Sequence, residues 1–380
     1  MKVRFSSSKL QEILDICSKF VSKSSTLPVL ENIYISWSVD KVVFRWTDME
    51  KYVELEVNAE IEGEWSITIN SKTFQDIIRN IDADEVDLTI DQDNEELKIN
   101  SWSDDFKIKG IPASEYVAVP EVDWENQVLL NPSIFSKGVS KVEYAISERN
   151  FTPILTGMLM RLRKEENANK LIFVWTDSFR LAEYKVDYEW ETENIDLVVP
   201  KIHIQEIKKV VDYFVGAGWD SMKISYSNNL VSFDFELEDI KIHCTSVLIQ
   251  GNFPDYENES IMPTSFNTSL NLSSDFLESA IKKVSIFTRD INNFVDVNIT
   301  DSEVEINSWE TDKWHANTSI KAEVSWEKVN FWINWKYVQD YIKILEGSIL
   351  KFNIVNQESP IVLEDENDQN LRYVIRPVIK

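Results

Sequence analysis

Three histidines, two cysteines and two dense carboxylate runs are the residues in this 380-residue chain whose types could do covalent or metal chemistry. Their spacing argues against it. His203, His243 and His315 stand at no ligand-like interval from one another or from Cys17 and Cys244, as a zinc site would require. No phosphate-cradling glycine loop, dinucleotide motif or nucleophile elbow is present. The runs DADEVD (82–87) and DQDNEE (91–96) carry the residue type that a two-metal nuclease or phosphoesterase would use. They fall in a short loop and a hairpin turn, where solvated carboxylates are the ordinary occupants. The expectation is a protein with no catalytic residues, no metal and no cofactor. Two cysteines give no disulfide framework and suit a reducing cytosol.

The remaining chemistry is recognition. In FVWTDSFRLAEYKV (173–186) two apolar, strand-like runs meet at a Thr-Asp turn, and Arg180 is set between them. The other candidates are lysines on helices. The net charge is −26, which by itself opposes nucleic-acid binding. The sign is segregated, however. Six helical segments hold a slight excess of base, and the strands and loops hold the acid. Longest apolar runs of about five to seven residues fall short of the roughly 20 that cross a bilayer. MKVRFSSSKL has no apolar core of a signal peptide, so no membrane association is expected.

The elements that carry these residues recur. FQDIIRNI (74–81), IQEIKKVV (204–211) and VQDYIKIL (338–345) align on a Gln-acid pair, and Phe74, Ile77, Ile78 and Ile81 make the first an amphipathic helix. Each follows an extended segment and has a Lys just upstream: Lys72, Lys201 and Lys336. An earlier helix precedes each, in 7–21, 131–146 and 273–287. KVVFRWTDME (41–50) matches LIFVWTDSFR (171–180), with VDVNITDSEVEINSW (295–309) as a weaker third copy. The chain therefore reads as three α+β domains, each with two helices and several antiparallel strands. The expected limits are 1–124, 125–256 and 257–380.

STLPVLENIYI, TDMEKYVELEV, TPILTGMLMRL, TDSFRLAEY, GNFPDY and the terminal YVIRPVIK occur in this order. Together they resemble the bacterial sliding clamps, the beta subunits of DNA polymerase III, over essentially the whole chain. The resemblance implies a DNA-clamp fold and a dimeric ring of six domains with helices inside and strands outside. It implies a processivity factor that encircles duplex DNA without reading its sequence, in the cytoplasm and associated with the nucleoid. Polymerase, clamp loader and other proteins with a clamp-binding motif would be its partners. Candidate DNA-facing residues are Lys9, Lys19, Lys23, Lys72, Arg79, Lys137, Lys141, Lys201, Lys208, Lys209, Lys282, Lys283, Lys336 and Lys343. The resemblance places a peptide pocket at Leu155, Thr176, Phe179, Arg180, Leu181, Pro254, Val374, Arg376, Pro377 and Val378. It places dimer contacts at Phe106, Ile108, Ile286 and Phe287. The chain departs from the family where Ser178-Phe179 replaces Gly-His, where Thr152 and Asn258 replace basic residues, and where Arg376 replaces a frequent Met. An acidic scaffold with no DNA role is the other non-enzymatic alternative.

Thirteen Trp against eight Gly is a further oddity. Glycine usually makes up about 7% of a chain. Several Trp stand in turn-like contexts, and the family often has Gly at Trp46 and Trp102. Two readings follow: an aromatic-rich protein, or a codon, UGA being the natural suspect, written as Trp that the source decodes as Gly.

Overall fold

Val86, Leu88 and Ile90 are buried while their strand neighbours are less so, the period of two that marks a sheet with one face in a core. The same pattern recurs along most of the chain in this computed structural model. It describes all residues except 1, 21–26, 39, 59–63, 103, 121–125, 147–151, 166–167, 189–192, 217, 238–239, 289–292, 309–314, 323, 327, 348 and 379–380, and the side chains of 17, 19, 237 and 324–326. Lys23 and the expected boundary at Trp124 lie outside the described residues, as does the side chain of Lys19.

One succession of elements appears three times. The first is β1 (Lys2–Ser6), α1 (Ser7–Cys17), β2 (Asn32–Ser38), β3 (Lys41–Thr47), β4 (Lys51–Asn58), β5 (Trp65–Asn70), α2 (Ser71–Arg79), β6 (Glu85–Asp91), β7 (Glu96–Asn100) and β8 (Asp105–Lys109). The second is β9 (Gln127–Leu130), α3 (Pro132–Val142), β10 (Gly157–Arg163), β11 (Asn169–Thr176), β12 (Arg180–Tyr188), β13 (Ile195–Pro200), α4 (Lys201–Gly216), β14 (Met222–Tyr226), β15 (Leu230–Leu237) and β16 (Ile240–Val247). The third is β17 (Thr268–Ser273), α5 (Ser274–Thr288), β18 (Phe294–Ile299), β19 (Glu303–Ser308), β20 (Asn317–Lys321), a short extra β21 (Val324–Trp326), β22 (Val329–Asn334), α6 (Trp335–Ile342), β23 (Ile349–Ile354), β24 (Ile361–Asp365) and β25 (Leu371–Ile375). Helix starts are encoded locally. Asn70 and Asn334 cap α2 and α6, accepting from the N–H groups of Thr73 and Lys336.

The chain forms two units, 1–136 with 202–248 and 137–201 with 249–380. In the first, one antiparallel sheet runs β5-β2-β3-β4-β16-β15-β14-β9 and a second runs β1-β6-β7-β8. Gln75 joins its helices α1 and α2, donating to Asp15 Oδ1 at 2.8 Å and Ser18 Oγ at 3.0 Å. In the second unit, one sheet runs β13-β10-β11-β12-β25-β24-β23-β17-β21 and another β20-β19-β18-β22. Sheets thus cross from one repeat to the next through β4–β16 and β12–β25. Gly138 is required where α3 meets its sheet, because a Cβ there would lie 2.3 Å from the Phe173 ring.

The ladders correct two readings of the repeat. Thr300 closes the β18–β19 hairpin, with its N–H donating to Glu303 O at 3.0 Å. β18 pairs with β22 as β2 pairs with β5, so the place matching the Thr47 and Thr176 turns is instead the β19–β20 connection, of which 309–314 lie outside the described residues. The Thr-Asp at 300 resembles the others only because such turns suit any tight hairpin. Likewise Lys201 opens α4, whereas Lys72 and Lys336 are second in α2 and α6. Ile202 holds the matching position and is 61% exposed.

No described Trp has a positive φ, so none stands where the backbone demands glycine. Hydrogen bonding separates them. Trp46 donates to Ser71 Oγ and Trp335 to Thr288 Oγ1. Trp37, Trp175 and Trp219 bury their indole N–H without an acceptor among the described residues. Each such group costs about 1–3 kcal/mol. These three are where an indole fits worst, and the intact mass of protein from its own source decides between the two readings.

Candidate partner pocket and nucleic-acid face

The Thr176–Arg180 turn is over-determined by its own side chains. Thr176 Oγ1 donates to Arg180 O at 2.7 Å and accepts from Ser178 N at 3.1 Å. Asp177 Oδ1 accepts from the N–H groups of Phe179 and Arg180, both at 2.9 Å. This network holds Ser178 at φ 76°, a left-handed conformation that non-glycine residues adopt only when the surroundings insist. Arg180 then turns inward. Its Nε donates to Asp177 Oδ2 at 3.0 Å and Nη1 to Asp340 Oδ2 at 2.8 Å, and the guanidinium lies over Tyr337 with its carbon 4.6 Å from the ring centroid. Burial works against this charge. Tyr373, Asp340 and Asp177 more than offset it, and the pKa is raised. That is why an arginine stands between two apolar strands: it ties the turn to α6.

A cavity of about 420 Å³ opens beside this turn. Leu155, Thr176, Phe179, Arg180, Leu181, Pro254, Val374 and Arg376 line it, all named from the sequence. β12 pairing with β25 sets Leu181 opposite Val374, and Arg376 N donates to Phe179 O at 2.8 Å. Pro377 and Val378 are corrections: neither lines the cavity, and Val378 N turns away to Trp332 O at 2.7 Å. Sequence reasoning missed Phe253, Ile261, Glu358 and Pro360, which line it from loops with no periodic signal. The lining is mainly apolar with few polar groups, the form of a site that accepts an anchor side chain.

The first unit repeats this device at the Thr47–Lys51 turn. Thr47 Oγ1 donates to Lys51 O, Met49 has φ 78°, and Lys51 reaches Glu206 of α4. His203, at the position of Tyr337, is buried with Nδ1 2.7 Å from Ser246 Oγ. Burial, aided by the Lys51 charge and opposed by Asp48, lowers its pKa to about 4. The folded state therefore binds fewer protons than the unfolded chain between about pH 6.5 and 4. The resulting stability is full above pH 6.5 and is lost as pH falls. His203→Gln is expected to remove acid sensitivity worth up to about 3 kcal/mol over that window, read by urea unfolding at pH 7 and pH 4.5.

The candidate DNA-facing cations divide by partner. Arg79 pairs with Asp15, Lys137 with Glu346, Lys208 with Asp212, Lys282 with Glu278 and Lys343 with Asp340. Lys72, Lys201, Lys209, Lys283 and Lys336 make no ion pair among the described residues. Lys9 is half-buried and has a partner. Lys141 is a correction. It is buried, with Nζ 3.1 Å from Glu346, 3.0 Å from Asp368 and 3.1 Å from Ile344 O, so it serves the fold.

Phe106 stands on the sheet edge β8 and is 36% exposed, whereas Ile108 is buried within its own unit. Ile286 is 66% exposed on α5 and Phe287 half-buried. In the carboxylate runs, Asp87 is held by Arg4 and Lys2. Asp91 is lowered to about 2, chiefly by the Lys98 hydrogen bond. The described residues gather no group of three His, Cys, Asp or Glu suited to a metal ion.

Comparison with known proteins covers the chain in three blocks. Residues 1–120 match the N-terminal domain of DNA polymerase III beta subunit, 129–255 its central domain and 259–379 its C-terminal domain. A beta sliding clamp of Staphylococcus epidermidis is 24% identical over 370 residues, covering 95% of this chain and 94% of its own length. The DNA polymerase sliding clamp of Bacillus subtilis superposes with a TM-score of 0.89 at 23% identity, covering 100% of this chain and 99% of that one. A beta sliding clamp of C. crescentus reaches 0.90 at 22%, covering both chains fully.

Proposed function

The chain belongs to the family of DNA polymerase III beta subunits, the sliding clamps, which are non-enzymatic processivity factors, and on that premise we propose how it closes, holds DNA and takes partners. Two copies close a ring by pairing β8 of one with β20 of the other. The observation that carries this is the pattern of sheet edges. β16 and β25 each end a repeat and pair with β4 and β12, while among the described residues their counterparts β8 and β20 are sheet edges with no further strand. An exposed edge is a template for a further strand. The expected domain limits, 1–124, 125–256 and 257–380, remain part of this reading.

Duplex DNA is held through phosphates, which carry no sequence information and allow sliding. The unpaired lysines Lys72, Lys201, Lys209, Lys283 and Lys336 would supply the contact, since they need break no ion pair to do so. The acidic remainder of a −26 chain disfavours DNA elsewhere. Polymerase, clamp loader and other partners insert an apolar peptide beside Arg180, and the protein works in the cytoplasm with the nucleoid. No helix of the described residues is long and apolar enough to cross a membrane.

The test is topological. Loaded onto nicked circular duplex by its own clamp loader, the protein is expected to stay through gel filtration at high salt and to leave once the circle is cut. Equal loss from circular and linear DNA would overturn the reading, because screened phosphate contacts alone distinguish neither.

A further inference from the structure

Two joints carry a sheet from one repeat into the next, and both set the same row of charges across the join. Lys51 and Arg180 close equivalent turns, their carbonyls accepting from Asp48 N and Asp177 N. Three residues beyond them stand Glu54 on β4 and Glu183 on β12. Opposite Glu183 the ladders place Arg372 on β25, then Glu364 on β24 and Lys351 on β23. Opposite Glu54 they place His243 on β16, then Asp234 on β15 and Lys223 on β14. Directly opposed residues share a face of the sheet. The two rows therefore match place for place, except that a histidine stands where the other joint has an arginine. The arginine is always charged. The histidine is charged only when it binds a second proton, near neutral pH.

The surroundings of His243 favour that proton. Its Nδ1 lies 3.0 Å from Asp234 Oδ1, which also accepts from Ser232 Oγ at 2.7 Å. Asp234 is buried, and its Oδ2 faces Lys223 Nζ at 3.4 Å. The other charged groups on this face are Glu54 and Glu56 on β4, Glu236 on β15, Lys241 on β16 itself, and Arg45 and Lys41 on β3. Arg45 pairs with Glu54, Lys41 with Glu56 and Lys241 with Glu236. The residues directly opposite the ring on both neighbouring strands are carboxylates, and the cations stand one place further off. Burial works against a charged ring, yet Asp234, Glu54 and Glu56 more than offset it, and the pKa is raised.

We propose that His243 makes the joint between the first and second repeats a proton-operated lock. Protonated, it is the cation between Glu54 of one repeat and Asp234 of the next, the place that Arg372 fills permanently at the other joint. Neutral, it leaves two carboxylates with no cation between them. A folded-state pKa above the unfolded value of about 6.5 means that the folded chain keeps a proton the unfolded chain has released. The stabilisation is complete below about pH 6.5 and is lost as pH rises through the raised pKa. This window lies above that of His203, so the two histidines of the first unit act in opposite senses at separate pH. The β4–β16 joint is firm at mildly acidic pH and loosens as pH rises, while β12–β25 does not respond.

The experiment is amide hydrogen exchange of the full chain, read by mass spectrometry at about pH 6 and about pH 8.5 and corrected for the chemical exchange rate at each. Segments 51–58 and 240–247 are expected to open about two- to fivefold more often at the higher pH, the range of a partly exposed ion pair. Segments 180–188 and 371–375 should show no such change. His243→Arg should hold the first joint closed at both pH values, and His243→Gln should leave it at the looser level at both. Ring-proton NMR of the unaltered protein should give His243 a pKa above about 6.5, and Glu54→Gln should lower it. The same response to pH in the His243→Gln chain as in the unaltered one would overturn the lock. So would a ring pKa at or below the unfolded value, a result that the unaltered protein alone supplies if a variant fails to fold.

Discussion

A Phe106→Asp chain is expected to run as a monomer at micromolar concentrations where the unaltered protein is expected to run as a dimer, with association weakened about a hundredfold or more. Losing an apolar anchor and placing a carboxylate in the seam together exceed the roughly 3 kcal/mol that this factor represents. The choice of Phe106 follows from register. Ile111, Ile249 and Val378 donate from equivalent places, to the carbonyls of Thr68, Val198 and Trp332. Five residues earlier stand Phe106, Cys244 and Tyr373. Cys244 lies opposite Val53 and Tyr373 opposite Ala182, the same relative position in both sheets that cross a repeat. Val53 and Ala182 lie opposite Trp46 and Trp175, whose counterpart in the third repeat is Ser308. Ala316 faces Ser308, with Ser308 N donating to its carbonyl at 2.8 Å. The seam should therefore set Phe106 of one copy opposite Ala316 of the other, and Asp105 opposite Asn317. A Phe106→Cys, Ala316→Cys chain should then form a dimer linked by disulfides under mild oxidation, since opposed strand residues lie within disulfide reach. Phe106→Cys with Asn317→Cys should not, because a one-residue slip sends the side chain to the other face. Cross-linking of the second pair in preference to the first would refute the register.

What the sequence displays and what it hides have a common cause. The Gln-acid helices are legible because an amphipathic period and a cap are local signals, and three copies of one pattern reinforce each other. Arg180 is legible as a fixed residue because the Thr-Asp turn around it is built from neighbours in the chain. The partners of that turn are not local. Nothing in 176–180 names Asp340, 160 residues away, as the acceptor of Arg180. For the same reason the third Thr-Asp pair, at 300, reads from sequence as equivalent to the other two, since only the ladder between β18 and β22 tells which hairpin matches. Lys141 reads as a solvated helix lysine for the same reason. Its three acceptors, at 344, 346 and 368, come from elements far along the chain. Continuity of the sheets through β4–β16 and β12–β25 also escapes the sequence, because alternation marks a strand without saying which edge it will meet.

Replacing Arg180 by Met should expose how far the pocket depends on that distant acceptor. The substitution keeps length and packing but removes the cation, leaving Asp177 and Asp340 facing an apolar side chain. Breaking a buried pair from one side costs about 3–5 kcal/mol. Here Asp340 keeps 31% of its side chain in water and Asp177 still accepts two backbone N–H groups. The expected cost is therefore smaller, about 2–4 kcal/mol. By calorimetry this should lower the transition of the second unit by about 5–10 °C. Peptide affinity should fall as well, because the turn that presents Phe179 and Leu181 loses its tie to α6. Pairing Arg180→Met with Asp340→Leu should restore about 1 kcal/mol or more, since the second change removes the carboxylate that the first leaves unpaired. Lys51→Met removes the matching tie in the first unit, where Lys51 and Glu206 keep only 6% and 16% of their side chains exposed. It should destabilise that unit comparably and leave peptide binding unchanged. A shift of less than about 1 °C for Arg180→Met, with peptide binding intact, would mean that the turn holds its left-handed Ser178 by the Thr176 and Asp177 bonds alone, and that Arg180 is a tenant of the junction and not its tie.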